Sequence, residues 1–506
     1  MRTSSTLLAG LFFLATLPAT AAVTCESLSS LKLPDGSITS AQTVAAGTFK
    51  LPGARGEQNG AVKNLPAFCR VAATLTPTSD SDIKIEVWLP ISNWNRKYQA
   101  VGNGGWAGSI SYPEMMEALQ RGYATSSTDT GHTGATGSFA MGHPEKLIDF
   151  GYRAVHEMTV KSKSIIKEYY GSAPQYSYWN GCSTGGRQGL REAQRFPGDF
   201  DGIIAGAAAN PRTRLASWEL WVGQATLKDS ESYIPKSKYP MVHQAVIAQC
   251  DETDGLKDGL IQDPRQCRFD PKVLLCKAED GPTCLTAPQV RAATQVMGTP
   301  KNSKTGEEIY PGLEPGTELG WSVMAGGPRP FSTAVDQFKY VVYKDPNWDW
   351  HNFDIERDVV LADKTDNDTI NVPPDLKGFK ERGAKLLMYH GWSDPNVAPR
   401  ASINFYNTAV DKLGGPAKNE NWIRLFMEPG MGHCRGGEGP NTFDTVTALE
   451  QWVEQKKAPD QMIASHSTNG KVDRTRPLCP YPQIATYKGS GSIDDAANFQ
   501  CKVNAH

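Results

Sequence analysis

Beyond its first residues the sequence has no apolar run near the ~20 residues that a membrane-spanning helix needs, which excludes a helical span in the body of the chain. A charge of one sign is also missing. Lys and Arg number 52 and Asp and Glu 54, for a formal net charge of -2. That balance removes the electrostatic ground for a nucleic-acid or anionic-membrane partner. There is no repeat of fixed period and no low-complexity tract, so a solenoid or a disordered linker protein is excluded. What is present is a chain of 506 residues, 39% of them apolar, which is enough for a large core and for more than one domain. It carries 48 glycines and 34 prolines, the mark of a loop-rich fold. It also carries ten cysteines.

The cysteines become interpretable once the first residues are read. Met1-Arg2 opens a positive region, Leu7 to Leu17 is apolar, and Ala19-Thr20-Ala21 fits a small-x-small cleavage site. Residues 1–21 are therefore expected to be a signal peptide, and the mature chain to be soluble and secreted or periplasmic. In an oxidising compartment ten cysteines predict up to five disulfides.

Ile83, Ile85, Val87 and Leu89 alternate with their neighbours, which predicts a half-buried strand. Tyr98 to Val101 runs into Gly102-Asn103-Gly104-Gly105. Lys161 to Tyr170 reads as a helix and Tyr176 to Trp179 as a short strand. Arg187 to Phe196 reads as a helix stopped by Pro197, and Phe200 to Gly206 as another strand. Lys385 to Tyr389 and Trp422 to Met427 are strand-like. Asp444 to Lys457 places Val446, Leu449, Trp452 and Val453 on one helical stripe. Alternating strands and helices predict an α/β fold around a mostly parallel sheet. Between them, residues 210–379 read as irregular, with four cysteines and many prolines and aromatics. The expected organisation is one core, residues 22–209 and 380–506, interrupted by an inserted segment, residues 210–379.

Gly181-Cys182-Ser183-Thr184-Gly185 fits G-x-S-x-G between a predicted strand and a predicted helix. The sharp turn lifts the serine hydroxyl above the sheet, and the helix N-terminus behind it favours developing negative charge. A serine nucleophile needs a base, and the base needs an orienting acid, here in the order Ser, acid, His. Asp394 follows a strand in His390-Gly-Trp-Ser-Asp394. His433 lies in the glycine-rich Gly430-Met-Gly-His433-Cys434. Ser183, Asp394 and His433 are the expected triad. His390 is a rival base, but it sits only four residues from the acid and is expected to line the pocket. The oxyanion hole is expected from the backbone N–H of Thr184 and from Gly104 and Gly105.

Cys182 precedes the nucleophile and Cys434 follows the base. This Cys-Ser…Asp…His-Cys arrangement resembles the tannase/feruloyl esterase family, which also includes enzymes hydrolysing aromatic polyester monomers. Cys182-Ser-Thr-Gly-Gly-Arg187, the Gly102–Gly105 loop and His390–Asp394 are similar to that family as well. The resemblance implies an α/β-hydrolase core, a large lid inserted before the acid's strand, and hydrolysis of esters of aromatic acids. It also implies the pairs Cys25–Cys69, Cys182–Cys434, Cys250–Cys267, Cys276–Cys284 and Cys479–Cys501.

Within the insertion, Asp251, Asp254 and Asp258 fall among glycines. Read from the residues alone, this is an acidic surface turn. The resemblance implies instead a structural Ca²⁺ held by those three side chains and the carbonyls of Leu256 and Leu260. A feruloyl esterase is the first expectation for substrate. Tannase and a mono-hydroxyethyl terephthalate hydrolase are alternatives, and a catalytically inactive secreted binding protein is a remote one. The substrate is expected to be small or linked to a plant polymer. Trp218, Trp221, Tyr310, Trp321, Phe331, Phe338, Trp348, Trp350 and Phe353 are aromatic residues of which some could form a slot for a flat ring, core packing being the expected role of any one of them, and Arg329 is one candidate among several for a substrate carboxylate.

Overall fold

The computed structural model describes residues 21–53 and 60–503. The expected signal peptide lies outside the described residues, apart from Ala21.

Ten strands form one sheet: β1 Lys32–Leu33, β2 Gly36–Val44, β3 Phe68–Leu75, β4 Ile83–Pro90, β5 Lys97–Val101, β6 Ala124–Thr128, β7 Tyr176–Cys182, β8 Gly202–Gly206, β9 Lys385–Gly391 and β10 Ile423–Glu428. Their order is β1-β2-β3-β4-β6-β5-β7-β8-β9-β10. From β6 to β10 all pairings are parallel, while β1 to β4 are antiparallel and β4 meets β6 antiparallel. Helices connect the parallel strands, as that topology requires. This is the expected α/β-hydrolase core.

β4 was expected to be half-buried, but only Lys84 of it is exposed. The face that reads as polar holds Glu86 and Trp88. Trp88 Nε1 donates to Glu86 Oε2 at 2.8 Å, and Arg70 pairs with the same carboxylate. A carboxylate with these partners can be buried, so the polar residue does not mark a solvent face.

The helix Thr445–Gln455 starts where the sequence suggests. The Asp444 side chain accepts the Thr447 N–H at 2.9 Å, and Lys456 ends the helix at φ 59°. Its stripe of Val446, Leu449, Trp452 and Val453 packs on Tyr178, Ile204, Leu387 and Phe426 of the sheet. Burial of such side chains contributes about 1.5–3 kcal/mol each.

Residues 210–379 enter between β8 and β9. Among the described residues this segment contains helices and no named strand, and its longest helix is Arg212–Leu227. The expectation of irregular structure is therefore corrected. Leu215, Trp218, Leu220, Val222 and Ala225 are all buried along this helix, so it shows no polar face from which its period could be read. With Tyr239, Val290, Val296 and Trp321 the segment has an apolar cluster of its own, which reaches the core at Val397, Ala398 and Ala401. The chain ends in two antiparallel pairs, β11 Met462–Thr468 with β12 Lys471–Leu478, and β13 Gln483–Tyr487 with β14 Phe499–Val503.

All ten cysteines are paired as expected: Cys25–Cys69, Cys182–Cys434, Cys250–Cys267, Cys276–Cys284 and Cys479–Cys501.

Candidate active site

β7 ends at Cys182, and Ser183 turns the chain into the helix Thr184–Arg195 with φ 62° and ψ -121°. A non-glycine residue in this region is strained, and such strain is tolerated where the surroundings fix it. Here they do. Ser183 N donates to Gly206 O at 3.0 Å, and its carbonyl accepts from Arg187 N and Ala209 N. The flanking glycines answer a steric demand. A Cβ on Gly181 would lie 2.5 Å from Gly185 O, and one on Gly102 would lie 2.5 Å from Gly185 Cα.

That last contact joins the nucleophile turn to the loop after β5. Gly185 N donates to Asn103 O at 2.8 Å, and the Thr184 hydroxyl donates to Gly105 O at 3.0 Å. Asn103 and Gln188 exchange two hydrogen bonds, Asn103 N to Gln188 Oε1 and Gln188 Nε2 to Asn103 Oδ1, both 3.0 Å. Asn103 Nδ2 donates to the carbonyls of Ser109 and Thr128. The Asn103 amide is thereby spent on fixing the loop. Thr184, Gly104 and Gly105 all line the cavity above Ser183. Neither Asn103 nor Gln188 carries a sequence signal for this bracing role. Both read as ordinary polar residues until the two loops are brought together.

Asp394 is fully buried on the turn after β9. Its Oδ1 accepts from Asn396 N at 2.7 Å and Val397 N at 3.0 Å. Its Oδ2 accepts from His433 Nδ1 at 2.7 Å and His390 Nε2 at 3.0 Å. Burial works against the charged carboxylate. The charge of His433 and the hydrogen bonds of both histidines outweigh it and hold Asp394 well below the usual carboxylate range. For His433 burial opposes protonation, yet the Asp394 charge and hydrogen bond, with a smaller push from Glu219, raise its pKa above the ordinary 6.5. The His433 loop is bound closely to the β9 turn: a Cβ on Gly391 would lie 2.3 Å from Met431 O.

Cys182 and Cys434 are bonded with Cα atoms 6.0 Å apart, so the residues after one and before the other, Ser183 and His433, are held on facing loops. Both line one cavity of about 540 Å³. The Ser183 hydroxyl and the His433 imidazole share no hydrogen bond in this structure. The inserted segment supplies the far wall with Arg212, Leu215, Glu219, Phe331 and Thr333.

These positions correct the expectation for His390, set Arg329 aside as a candidate, and give most of the insertion's aromatics the core-packing role expected of any one of them. His390 does not line the cavity. It lies fully buried behind Asp394, donating from Nε2 to Asp394 and Val397 O, while Nδ1 accepts the Ser402 hydroxyl at 2.8 Å. With both nitrogens engaged it is a support for the acid. Arg329 is exposed and away from the cavity, whose arginines are Arg212 and Arg435. Of the nine candidate slot aromatics only Phe331 faces the cavity; Trp218, Tyr310 and Trp321 pack in the insertion's core, and Phe338 and Phe353 in a second cluster.

The acidic loop carries hard oxygen donors around glycine turns at Gly255 (φ 82°) and Gly259 (φ 80°). Asp251 Oδ1 accepts from the N–H of Asp258 and of Gly259, and Asp254 Oδ1 from Leu256 N. Asp258 Oδ2 is taken by Arg476 at 2.6 Å. The donor chemistry fits a hard cation. The three carboxylates do not gather within 4.8 Å of one another here.

A sequence model described as tannase and feruloyl esterase matches residues 69–502. The chain is 39% identical to an uncharacterized esterase of Xanthomonas campestris pv. campestris, over 96% of this chain and 92% of that one. It is 35% identical to a probable feruloyl esterase B-1 of Aspergillus fumigatus, over 86% and 85%. The crystal structure of feruloyl esterase B from Aspergillus oryzae is similar with a TM-score of 0.89 at 33% identity, covering 94% of this chain and 99% of that one. The matched region spans Ser183, Asp394, His433 and the whole insertion, and the chain belongs to the tannase and feruloyl esterase family.

Proposed function

We propose that this carboxylic ester hydrolase cleaves esters of hydroxycinnamic and other phenolic acids through an acyl-enzyme on Ser183. The observation that carries the reading is the buried Asp394 bonded to His433 at 2.7 Å on the wall of the cavity that Ser183 enters. Similarity to feruloyl esterase B proteins supports the feruloyl type. His433 Nε2 takes the Ser183 proton as Oγ attacks the ester carbonyl. The backbone N–H groups of Thr184 and of Gly104 or Gly105 receive the oxyanion. His433 then protonates the departing alcohol, and afterwards takes a proton from the water that releases the acid. Asp394 keeps the proton on Nδ1, which leaves Nε2 free to act as base, and it stabilises the imidazolium.

The inserted segment serves as a lid whose residues choose the ester. The acidic loop holds a Ca²⁺ through Asp251, Asp254, Asp258 and the carbonyls of Leu256 and Leu260, supplying bracing and no chemistry. Five disulfides support an exported, extracellular or periplasmic protein, and no described helix is long and apolar enough to cross a membrane. The test is Ser183→Ala assayed on methyl ferulate, methyl gallate and mono-hydroxyethyl terephthalate. Wild type is expected to turn over methyl ferulate best, and the variant to lose turnover with an unchanged circular dichroism spectrum. Turnover retained in Ser183→Ala would sink the assignment.

A further inference from the structure

The far wall of the ester cavity holds a charged pair that the proposed chemistry does not use. Arg212 opens the helix Arg212–Leu227, and Glu219 follows two turns later on the same face. Both line the cavity with Ser183 and His433. Glu219 is 2% exposed. A charged group buried this deeply is costly unless it is paired or functional. The pairing is loose, with Arg212 Nη1 3.5 Å from Glu219 Oε2. Arg212 is oriented by other contacts, since Nη2 donates to Thr333 O at 2.8 Å and the guanidinium lies 5.4 Å from the Trp106 ring centre. The groups that act on Glu219 are Arg212 and His433, and its charge is felt by the buried Tyr310. Burial pushes its carboxyl up to about 7, against Arg212 and His433, so near neutrality it both donates and accepts.

We infer that Arg212 and Glu219 form a specificity site for a hydroxyl on the aromatic ring of the acyl group. A phenolic hydroxyl needs one acceptor and offers one acceptor of its own, and the pair supplies a carboxyl oxygen and a guanidinium N–H. A ring carboxylate suits the site less. Above about pH 7, where Glu219 is ionised, it would face that carboxylate, and to admit it the site must keep Glu219 protonated. The site thus favours phenolic acids over terephthalate half-esters, and this inference rests on the aromatic-ester reading above.

The test compares kcat/KM for methyl 4-hydroxycinnamate, methyl 4-methoxycinnamate and methyl cinnamate. Wild type is expected to prefer the hydroxy ester over the methoxy ester by about tenfold or more, because a site built to bond a hydroxyl is left unpaired by its absence. Glu219→Leu is expected to bring that ratio down about tenfold. The double change Arg212→Met with Glu219→Leu is expected to do the same without leaving a buried charge unpaired. A wild-type ratio near one overturns the inference, as does a large ratio that both active variants keep. If neither variant folds, the wild-type ratio decides alone. A variant effect that follows the alcohol, seen with methyl against 2-hydroxyethyl 4-hydroxycinnamate, overturns the acyl assignment. Absence of turnover of every aromatic ester by wild type is a different outcome and removes the ester reading itself.

Discussion

Asp394 serves two histidines with one carboxylate oxygen. His433 donates to Oδ2 from the cavity side and His390 from behind, while two backbone N–H groups hold Oδ1. Each contact favours the ionised form, which explains how a fully buried carboxyl stays charged. The proposed mechanism needs His433 neutral, and its pKa lies above 6.5 because of Asp394. The rate should therefore rise with pH through an inflection above 6.5 and fall away on the acid side, where His433 is protonated. Asp394→Asn removes the charge that raises the imidazole and disturbs its tautomer. We expect kcat to drop on the order of 10⁴-fold and the inflection to move to lower pH. A pH–rate profile of kcat/KM for the two proteins checks both. An inflection left in place would mean that another group sets it.

At the scale of elements, the site is two loops clamped across the sheet. The turn after β7 carries Ser183 and the loop after β10 carries His433, and Cys182–Cys434 bridges them across 252 residues of sequence. The bridge closes a long loop, so its removal costs stability of about 2–5 kcal/mol. It also sets the distance between Ser183 and His433, the proposed nucleophile and base, where small misplacements cost ~10²-fold in rate. Replacing both cysteines by alanine is expected to lower kcat about 10²-fold at temperatures where the variant remains folded by circular dichroism. Full activity in the folded double variant would refute the positional role. The core elements were legible because β9, β10 and the helix Thr445–Gln455 show their apolar patterns openly, and because G-x-S-x-G stood between a strand and a helix. The helix Arg212–Leu227 was not legible, since burial on all sides erases the periodicity that betrays a helix. Arg212 and Glu219 were hidden for the same reason: charged residues in an apparently irregular stretch read as surface. The place of His390 is not legible, because spacing from Asp394 cannot tell a residue beside the cavity from one behind the acid.

For the whole molecule the question is what fixes the inserted segment to the core. Its helices pack on Val397, Ala398 and Ala401, and His243 bridges Glu318 within the segment to Glu438 just beyond the His433 loop, at 2.8 Å on each side. The acidic loop is a third attachment. Asp258 accepts from Arg476 through its side chain and from Arg474 through its carbonyl, both from β12, and Leu256 packs beside Cys479 and Phe499 near the chain's end. The disulfide Cys250–Cys267 encloses this loop. A Ca²⁺ gathering Asp251, Asp254 and Asp258 would therefore tighten insertion, loop and C-terminal strands together. An ion that binds only the folded chain stabilises it by about 2.7 kcal/mol at one hundred times its Kd. Chelation with EDTA is expected to lower Tm by a few degrees, and excess Ca²⁺, but not Na⁺, to restore it. Asp254→Asn should abolish the Ca²⁺-dependent rise while leaving the protein folded, because the side chain's Leu256 N–H contact is kept by an amide oxygen. A Tm indifferent to both chelator and Ca²⁺ would assign the loop to hydrogen bonds and the Arg474 and Arg476 contacts alone.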